Sequence, residues 1–269
     1  MVDEVLIEIE DLHFSYGDRP LLTGVEMSLR QGRISAILGT SGVGKTTLLR
    51  LMAGQLRPSR GAVRYRNRVV HEMSGRELYA MRREMGMMFQ MGGLFTDLSV
   101  LDNIAFPLRE HTRLGAAQIR DIVLMKLQAV GLRGARDLMP TELSGGMNRR
   151  VCLARAIALD PMLAVYDEPF AGLDPISLNA VARLIRELND SIGITSVVVT
   201  YDVSESLKVV DDIFLLSDGK VVSQGTPRQL EAPEADPYAH QFIHAAADGP
   251  VAFHWPAPAL SKDFRLSAA

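Results

Sequence analysis

Only one cysteine, Cys152, occurs in the chain, so an internal disulfide is excluded. Cys152 lies in the apolar run VCLARAIAL, where a thiol behaves as a small buried hydrophobe. That suits a reducing compartment. Excess charge is also missing. A formal net charge of -3 gives no reason to expect affinity for nucleic acid. No stretch approaches the roughly 18 uncharged apolar residues that would cross a bilayer. The N-terminus, MVDEVLIEIED, is acidic and lacks the basic start of a secretory signal. The expectation is a soluble chain that works at a membrane only when a partner holds it there. Internal repeats and low-complexity tracts are absent as well. What is present, 47% hydrophobic and 23% charged residues over 269 positions, suffices for one large domain or two small ones with a real core.

Short apolar runs alternate with helical patterns, which predicts an α/β fold with a largely parallel sheet. VLIEIEDLHFSY, RISAILG, MLAVY, TSVVVT and IFLLS read as strands. KTTLLRLMAG reads as a helix stopped by Gly54. Ile119, Ile122, Val123, Leu127 and Val130 recur at helical spacing. SDGKVV is a hairpin signal, because Asp-Gly suits a tight turn with positive φ. Residues from about 91 to 155 are rich in helical pattern and poor in β-branched runs, as expected of an inserted helical subdomain. The tail after about residue 245 carries prolines without a period, and Phe253, Trp255 and Phe264 suit an arm that docks on something.

GTSGVGKT, Gly39 to Thr46, follows a strand and precedes a helix. It matches the G-x-x-x-x-G-K-[ST] phosphate loop at every position. Gly39, Gly42 and Gly44 let the backbone turn tightly, so that the N–H groups of Thr40, Ser41, Val43 and their neighbours can point at a phosphate. The helix that begins near Lys45, Thr46 and Thr47 aims its positive dipole end at the same anion. Lys45 adds a full charge for the β- and γ-phosphates, and Thr46 a hydroxyl for Mg²⁺. MLAVYDEP, Met162 to Pro169, brings two carboxylates to the end of a buried strand, where α/β sheets bind ligands. Asp167 would hold Mg²⁺ through its water shell. Glu168 would orient and deprotonate the attacking water.

ELSGGMNRR, Glu142 to Arg150, narrows the reading. With the two motifs above it resembles the signature of the ATP-binding cassette (ABC) ATPases, usually LSGGQ, with Met147 in the glutamine place. The resemblance runs over residues 5 to 230. It implies a P-loop NTPase core with the inserted helical subdomain, within a nucleotide-binding domain over 1–244, and a C-terminal extension over 245–269. It implies that Tyr16 stacks on adenine, that Gln90 senses Mg²⁺ and the attacking water, and that Ser144, Gly145 and Gly146 contact the γ-phosphate. Asp174, in AGLDP, matches the loop that crosses to the opposite subunit. In this family the signature completes the site of a second copy, so two chains meet head to tail around two ATP molecules.

LFTDLSVLDNIAFPLREHT, LMKLQAVGLRGARDLMP and the late DGPV resemble a narrower group, the ATPases of the Mla systems that maintain outer-membrane lipid asymmetry. That implies phospholipid trafficking between the inner and outer membranes. The implied partners are a polytopic permease, an MCE-domain protein on the periplasmic side and a small STAS-domain subunit. The implied location is the cytoplasmic face of the inner membrane. Three other functions are open. One is a soluble ABC protein of DNA repair or translation, which the short 91–143 interval and the single cassette disfavour. Another is the ATPase of a different small-molecule transporter. The third is a regulatory module with incidental hydrolysis.

Only Tyr201 favours the regulatory module. In the family a histidine at this place donates a hydrogen bond to the γ-phosphate. Tyrosine offers a phenol donor without a charge near neutral pH. The expectation is a slow but active ATPase, with Glu168, Gln90, Lys45 and Tyr201 as the catalytic set.

Overall fold

The computed structural model describes residues 4–90, 92–232, 234–246 and 248–250. The C-terminal arm expected from the sequence, with Phe253, Trp255 and Phe264, lies from residue 251 onward outside the described residues. The chain opens with β1 (Val5–Tyr16), β2 (Arg19–Arg30) and β3 (Ile34–Leu38), followed by α1 (Lys45–Met52). Next come β4 (Arg60–Tyr65), β5 (Arg68–Val69), α2 (Gly75–Arg83) and β6 (Met85–Met88). Three helices then run in succession, α3 (Val100–His111), α4 (Ala116–Ala129) and α5 (Gly145–Ala156). The last part comprises β7 (Leu163–Asp167), α6 (Pro175–Ile192), β8 (Thr195–Thr200), α7 (Val203–Ser206), β9 (Asp212–Ser217), β10 (Lys220–Gly225), α8 (Pro227–Leu230) and α9 (Pro237–Ile243).

Two sheets form. The larger has the order β10-β9-β3-β8-β7-β6, parallel from β9 to β6, with β10 antiparallel at one edge. The Asp218–Gly219 turn that joins β9 to β10 has positive φ at both residues, 47° and 74°, as a tight hairpin requires. The smaller sheet, β2-β1-β4-β5, is wholly antiparallel. A largely parallel sheet alone did not anticipate it. Its signature is the alternation in β2, where Val25, Met27 and Leu29 are buried while Glu26, Ser28 and Arg30 are exposed. Such a half-wet pattern belongs to antiparallel sheets.

The parallel strands β3, β7 and β8 are buried at every position, as strands covered on both faces must be. Ile37, Val165 and Val199 face the small sheet and pack with Leu48 and Leu49 of α1. Ile34, Ala36, Leu38 and Val198 face the other way, onto the apolar faces of the helices, among them Ile104 of α3, Val123 of α4, Val151 of α5 and Ile185 of α6. The helices at 100–156 thus share one apolar cluster with the sheet.

Gly86 of β6 lies directly under the end of α5. A Cβ there would stand 2.0 Å from the Ala156 carbonyl oxygen, a backbone atom that cannot swing aside. Gly86→Ala is expected to cost about 1–3 kcal/mol through overpacking. Each kcal/mol lowers the Tm of a chain near this size by about 2–4 °C. A thermal melt checks this, and an unchanged Tm would refute the close approach.

Candidate active site

The parallel register brings the site together. Leu38 pairs with Thr200, Asp167 with Val199, and Met88 with Tyr166. Strands β3, β8, β7 and β6 therefore end at one edge, and the loops that leave them meet there. This is the carboxyl edge at which α/β sheets hold ligands.

The loop after β3 is the glycine-rich run. Gly39 has φ 153°, and a Cβ on it would lie 2.4 Å from the Leu216 carbonyl, so only glycine lets this backbone pass. Helix α1 begins at Lys45, whose side chain is buried. Its Nζ donates to the carbonyls of Gly39 at 2.8 Å and Thr40 at 3.1 Å, and stands 3.9 Å from Glu168 Oε1. Burial pushes the Lys45 pKa down, against the pull of Glu168 and Asp167.

Both carboxylates at the end of β7 are buried, Asp167 with 4% and Glu168 with 5% of its surface exposed. Thr46 Oγ1 donates to Asp167 Oδ2 at 3.3 Å. Burial raises the pKa of Asp167, and the Thr46 bond and Lys45 only partly offset this. Glu168 is raised for the same reason, partly offset by a hydrogen bond from Thr200, by Lys45 and by the Tyr201 amide. Glu168 also has a left-handed backbone, φ 50°, and its N–H donates to the Val199 carbonyl at 2.7 Å. Backbone of this kind in a non-glycine residue costs of order 1–3 kcal/mol and clusters at functional sites.

One cleft of about 180 Å³ is lined by Ser41, Gly42, Gly44, Lys45, Thr46, Thr47, Gln90 and Glu168, with Leu21 at its side. Gln90 arrives two residues after β6 and is exposed. Tyr16 sits nearby, its hydroxyl 3.4 Å from Thr47 Oγ1 and its ring edge-on to Phe14. Half of Tyr16 is exposed, so a face is free to stack. Val43 packs on the core between the sheets. Tyr201, 54% exposed, gives its N–H to Glu168 Oε2 at 3.4 Å and lies outside the cleft lining.

Ser144, Gly145, Gly146 and Asp174 are not part of this cleft. Ser144 caps α5, accepting from the Met147 N–H at 3.3 Å. Asp174 caps α6, accepting from Ile176 and Ser177 N–H at 3.0 Å each. The two helix starts touch, since a Cβ on Gly146 would stand 2.7 Å from Ser177 Oγ. Met147 packs its side chain on the helical core.

The sequence reading missed Thr200. Its buried hydroxyl bonds the Glu168 carboxylate and accepts from the Asp202 N–H at 3.0 Å. Nothing in the run TSVVVT distinguishes it from a β-branched core residue.

Asp167 and Thr46 together offer hard oxygen donors and a buried negative charge. That fits Mg²⁺, which binds through one or two carboxylates and substrate phosphates while keeping several waters. Among the described residues no group of three or more His, Cys, Asp or Glu side chains converges as a cage for a metal ion.

A phosphate cradle, a buried carboxylate pair and a capped signature helix define a P-loop nucleotide hydrolase of the cassette type. The family model described as ABC transporter matches residues 22–171, and the chain belongs to that family. It is an ATP-binding, ATP-hydrolysing cassette. It is 50% identical over 262 residues to the Haemophilus influenzae protein named intermembrane phospholipid transport system ATP-binding protein MlaF, covering 97% of this chain and 99% of that one. The Escherichia coli K12 protein of the same name is 49% identical over 252 residues, 94% of this chain and 93% of that one. Among solved structures, the cassette MJ0796, a dimer in a post-hydrolysis state with ADP and Pi, superposes with a TM-score of 0.75 at 29% identity. That match covers 82% of this chain and 99% of MJ0796.

The raised pKa of Glu168 has a stability consequence. Above its ordinary value of 4.5, the folded state resists ionisation while the unfolded state does not, so folding loses stability as pH rises. Below that value both states are protonated and the cost disappears. Glu168→Gln is therefore expected to raise the Tm of the nucleotide-free protein at pH 8, by about 2–4 °C per kcal/mol recovered. The gain is expected to shrink as pH falls towards 5. A Tm difference that is negative, or independent of pH, would contradict the burial cost.

Proposed function

We propose that this chain powers phospholipid movement between the inner and outer membranes of diderm bacteria, as the ATPase subunit of a membrane transporter. The observation that carries the ATPase part is the convergence of Lys45, Thr46, Gln90 and Glu168 on one cleft. The transport part rests on the half-identity, over nearly the whole chain, to proteins named for intermembrane phospholipid transport.

The loop amides of residues 39–47 and the Lys45 ammonium bind the triphosphate, and the Tyr16 ring stacks on the base. Glu168, whose burial makes it a stronger proton acceptor, takes a proton from the attacking water. The water oxygen bonds to the γ-phosphorus, the bond to the bridging oxygen breaks, and its electrons leave with ADP. Gln90 positions that water. Thr46, Asp167 and Gln90 would hold Mg²⁺, which neutralises charge on the β- and γ-phosphates. Ser144, Gly145, Gly146 and Asp174 of a second copy complete the site, because a helix N-terminus of this kind suits a γ-phosphate.

Residues 1–244 act as the nucleotide-binding domain, with the helical subdomain over about 91–155, and 245–269 are the C-terminal extension. A polytopic permease docks a short helix in an apolar groove of about 540 Å³ between β6, α3 and the end of α5. Exposed Phe89, Phe95 and Phe106 line it, with Met85 and Met87, and this adaptable surface suits an amphipathic helix. Phe89 adjoins Gln90, so the groove abuts the cleft. A small STAS-domain subunit is a further partner in this reading. The MCE-domain protein meets the permease on the periplasmic side. No helix among the described residues is long and apolar enough to cross a membrane. In this reading the permease holds the chain at the cytoplasmic face of the inner membrane.

A Tyr201 phenol turned onto the γ-phosphate would donate a neutral hydrogen bond, where a charged donor would gain about 1–1.5 kcal/mol more. Spent only in the transition state, that difference is roughly tenfold in rate. Tyr201→His is expected to raise kcat about tenfold, measured as phosphate release against a Glu168→Gln control. Wild-type turnover equal to that control would favour the regulatory-module reading instead. The native protein is also expected to leave detergent extracts with an integral membrane protein, and its isolation without one would contradict the transport role.

A further inference from the structure

Helix α5 holds two loops of the site through its arginines. Arg149 donates from Nη1 to the Gln90 carbonyl at 2.6 Å and from Nη2 to the Ala171 carbonyl at 3.2 Å. Ala171 in turn gives its N–H to the Glu168 carbonyl at 3.3 Å. One guanidinium thus spans the loop that carries Gln90 and the loop that follows Glu168. Two turns on, Arg155 holds the far side of the first loop, donating to the Gly92 and Gly93 carbonyls at 2.9 and 2.8 Å. The same helix starts at Ser144, which caps it.

We propose that Arg149 is a positioning residue that sets the spacing between Gln90 and Glu168, tying both to α5. This rests on the ATPase reading above, in which those two side chains flank the attacking water. The planar fork is what the geometry uses. Two separate nitrogens reach two carbonyls on different loops, and neither carbonyl belongs to the nucleotide cradle. A lysine keeps the charge and much of the stem, but one ammonium on a single tether cannot reproduce that fixed span. Because Arg149 binds carbonyls and not phosphate, its loss acts on the chemical step. A displacement of well under a bond length at a reacting group is enough to matter, since misplacement by about 1 Å costs about a hundredfold.

The test uses the full chain in complex with its membrane partner. Wild type, Arg149→Lys, Gln90→Ala and the double variant are compared by kcat, by KM for ATP, and by Tm. ATP affinity is measured separately, by fluorescent-analogue displacement at low turnover. Arg149→Lys is expected to lower kcat at least tenfold, with ATP affinity within about twofold of wild type and a Tm close to it. In the Gln90→Ala background the same substitution is expected to lose most of its effect, because the side chain it positions is gone. An Arg149→Lys kcat equal to wild type would overturn the inference. So would parallel losses of kcat, affinity and Tm, or effects that simply multiply in the double variant, since these mark a merely structural arginine. If wild type itself shows no turnover in the complex, the ATPase reading fails and this inference fails with it. Normal wild-type turnover with an unimpaired Arg149→Lys sinks the inference alone.

Discussion

Three charged side chains, Lys45, Asp167 and Glu168, are withdrawn from water at one edge of the parallel sheet. Burial disfavours each charge, Lys45 and the two carboxylates partly rescue one another, and Asp167 further disfavours the charge on Glu168. A lone member of this set would be strongly destabilising, whereas together they are tolerable. The rest of the architecture serves to hold them there. The register Leu38–Thr200 and Asp167–Val199 fixes how far each strand runs before its loop departs. The tight passage of Gly39 over β9 and the left-handed turn at Glu168 then aim the loops inward. Two apolar clusters, one on each face of the sheet, supply the stability that such an expensive centre consumes.

How much of this was legible from the residues alone depended on whether the constraint was local. The phosphate loop, the Asp167–Glu168 pair and the signature run are contiguous, because one turn or one strand end must present all their atoms. Buried strands such as TSVVVT and the Asp-Gly hairpin were legible for the same reason. The antiparallel sheet was less so. Its alternation in β2 is interrupted near Gly24, and although β1–β2 and β4–β5 are hairpins, the β1–β4 pairing that unites them joins segments far apart in sequence. The Thr200 hydroxyl on Glu168 and the Arg149 fork were illegible, since both join segments that only the fold brings together. A threonine in a valine run and an arginine on a helix carry no local mark of such duty.

The placement of Ser144, Gly145 and Asp174 away from the Lys45 cleft gives the molecule two distinct faces. One carries the glycine-rich loop and the Lys45 cleft. The other presents two capped helix starts, exposed and packed against each other at Gly146 and Ser177. Helix α5 links the second face to the loops of the first, and the Gln90 loop links the cleft to the aromatic groove beside it. In a head-to-tail pair, nucleotide would join one face to the other, and its cleavage would release them. ATP then acts as the ligand of a two-state element whose closed form is biased by γ-phosphate contacts.

The most direct measurement is the mass in solution of the full-length Glu168→Gln protein with ATP and Mg²⁺, by sedimentation or native mass spectrometry. Pairing predicts a particle of two chains with two ATP molecules, which falls apart when ADP replaces ATP. Saturating ATP on single chains that never pair, even in the membrane-bound assembly, would contradict the claim that each cleft is half a site.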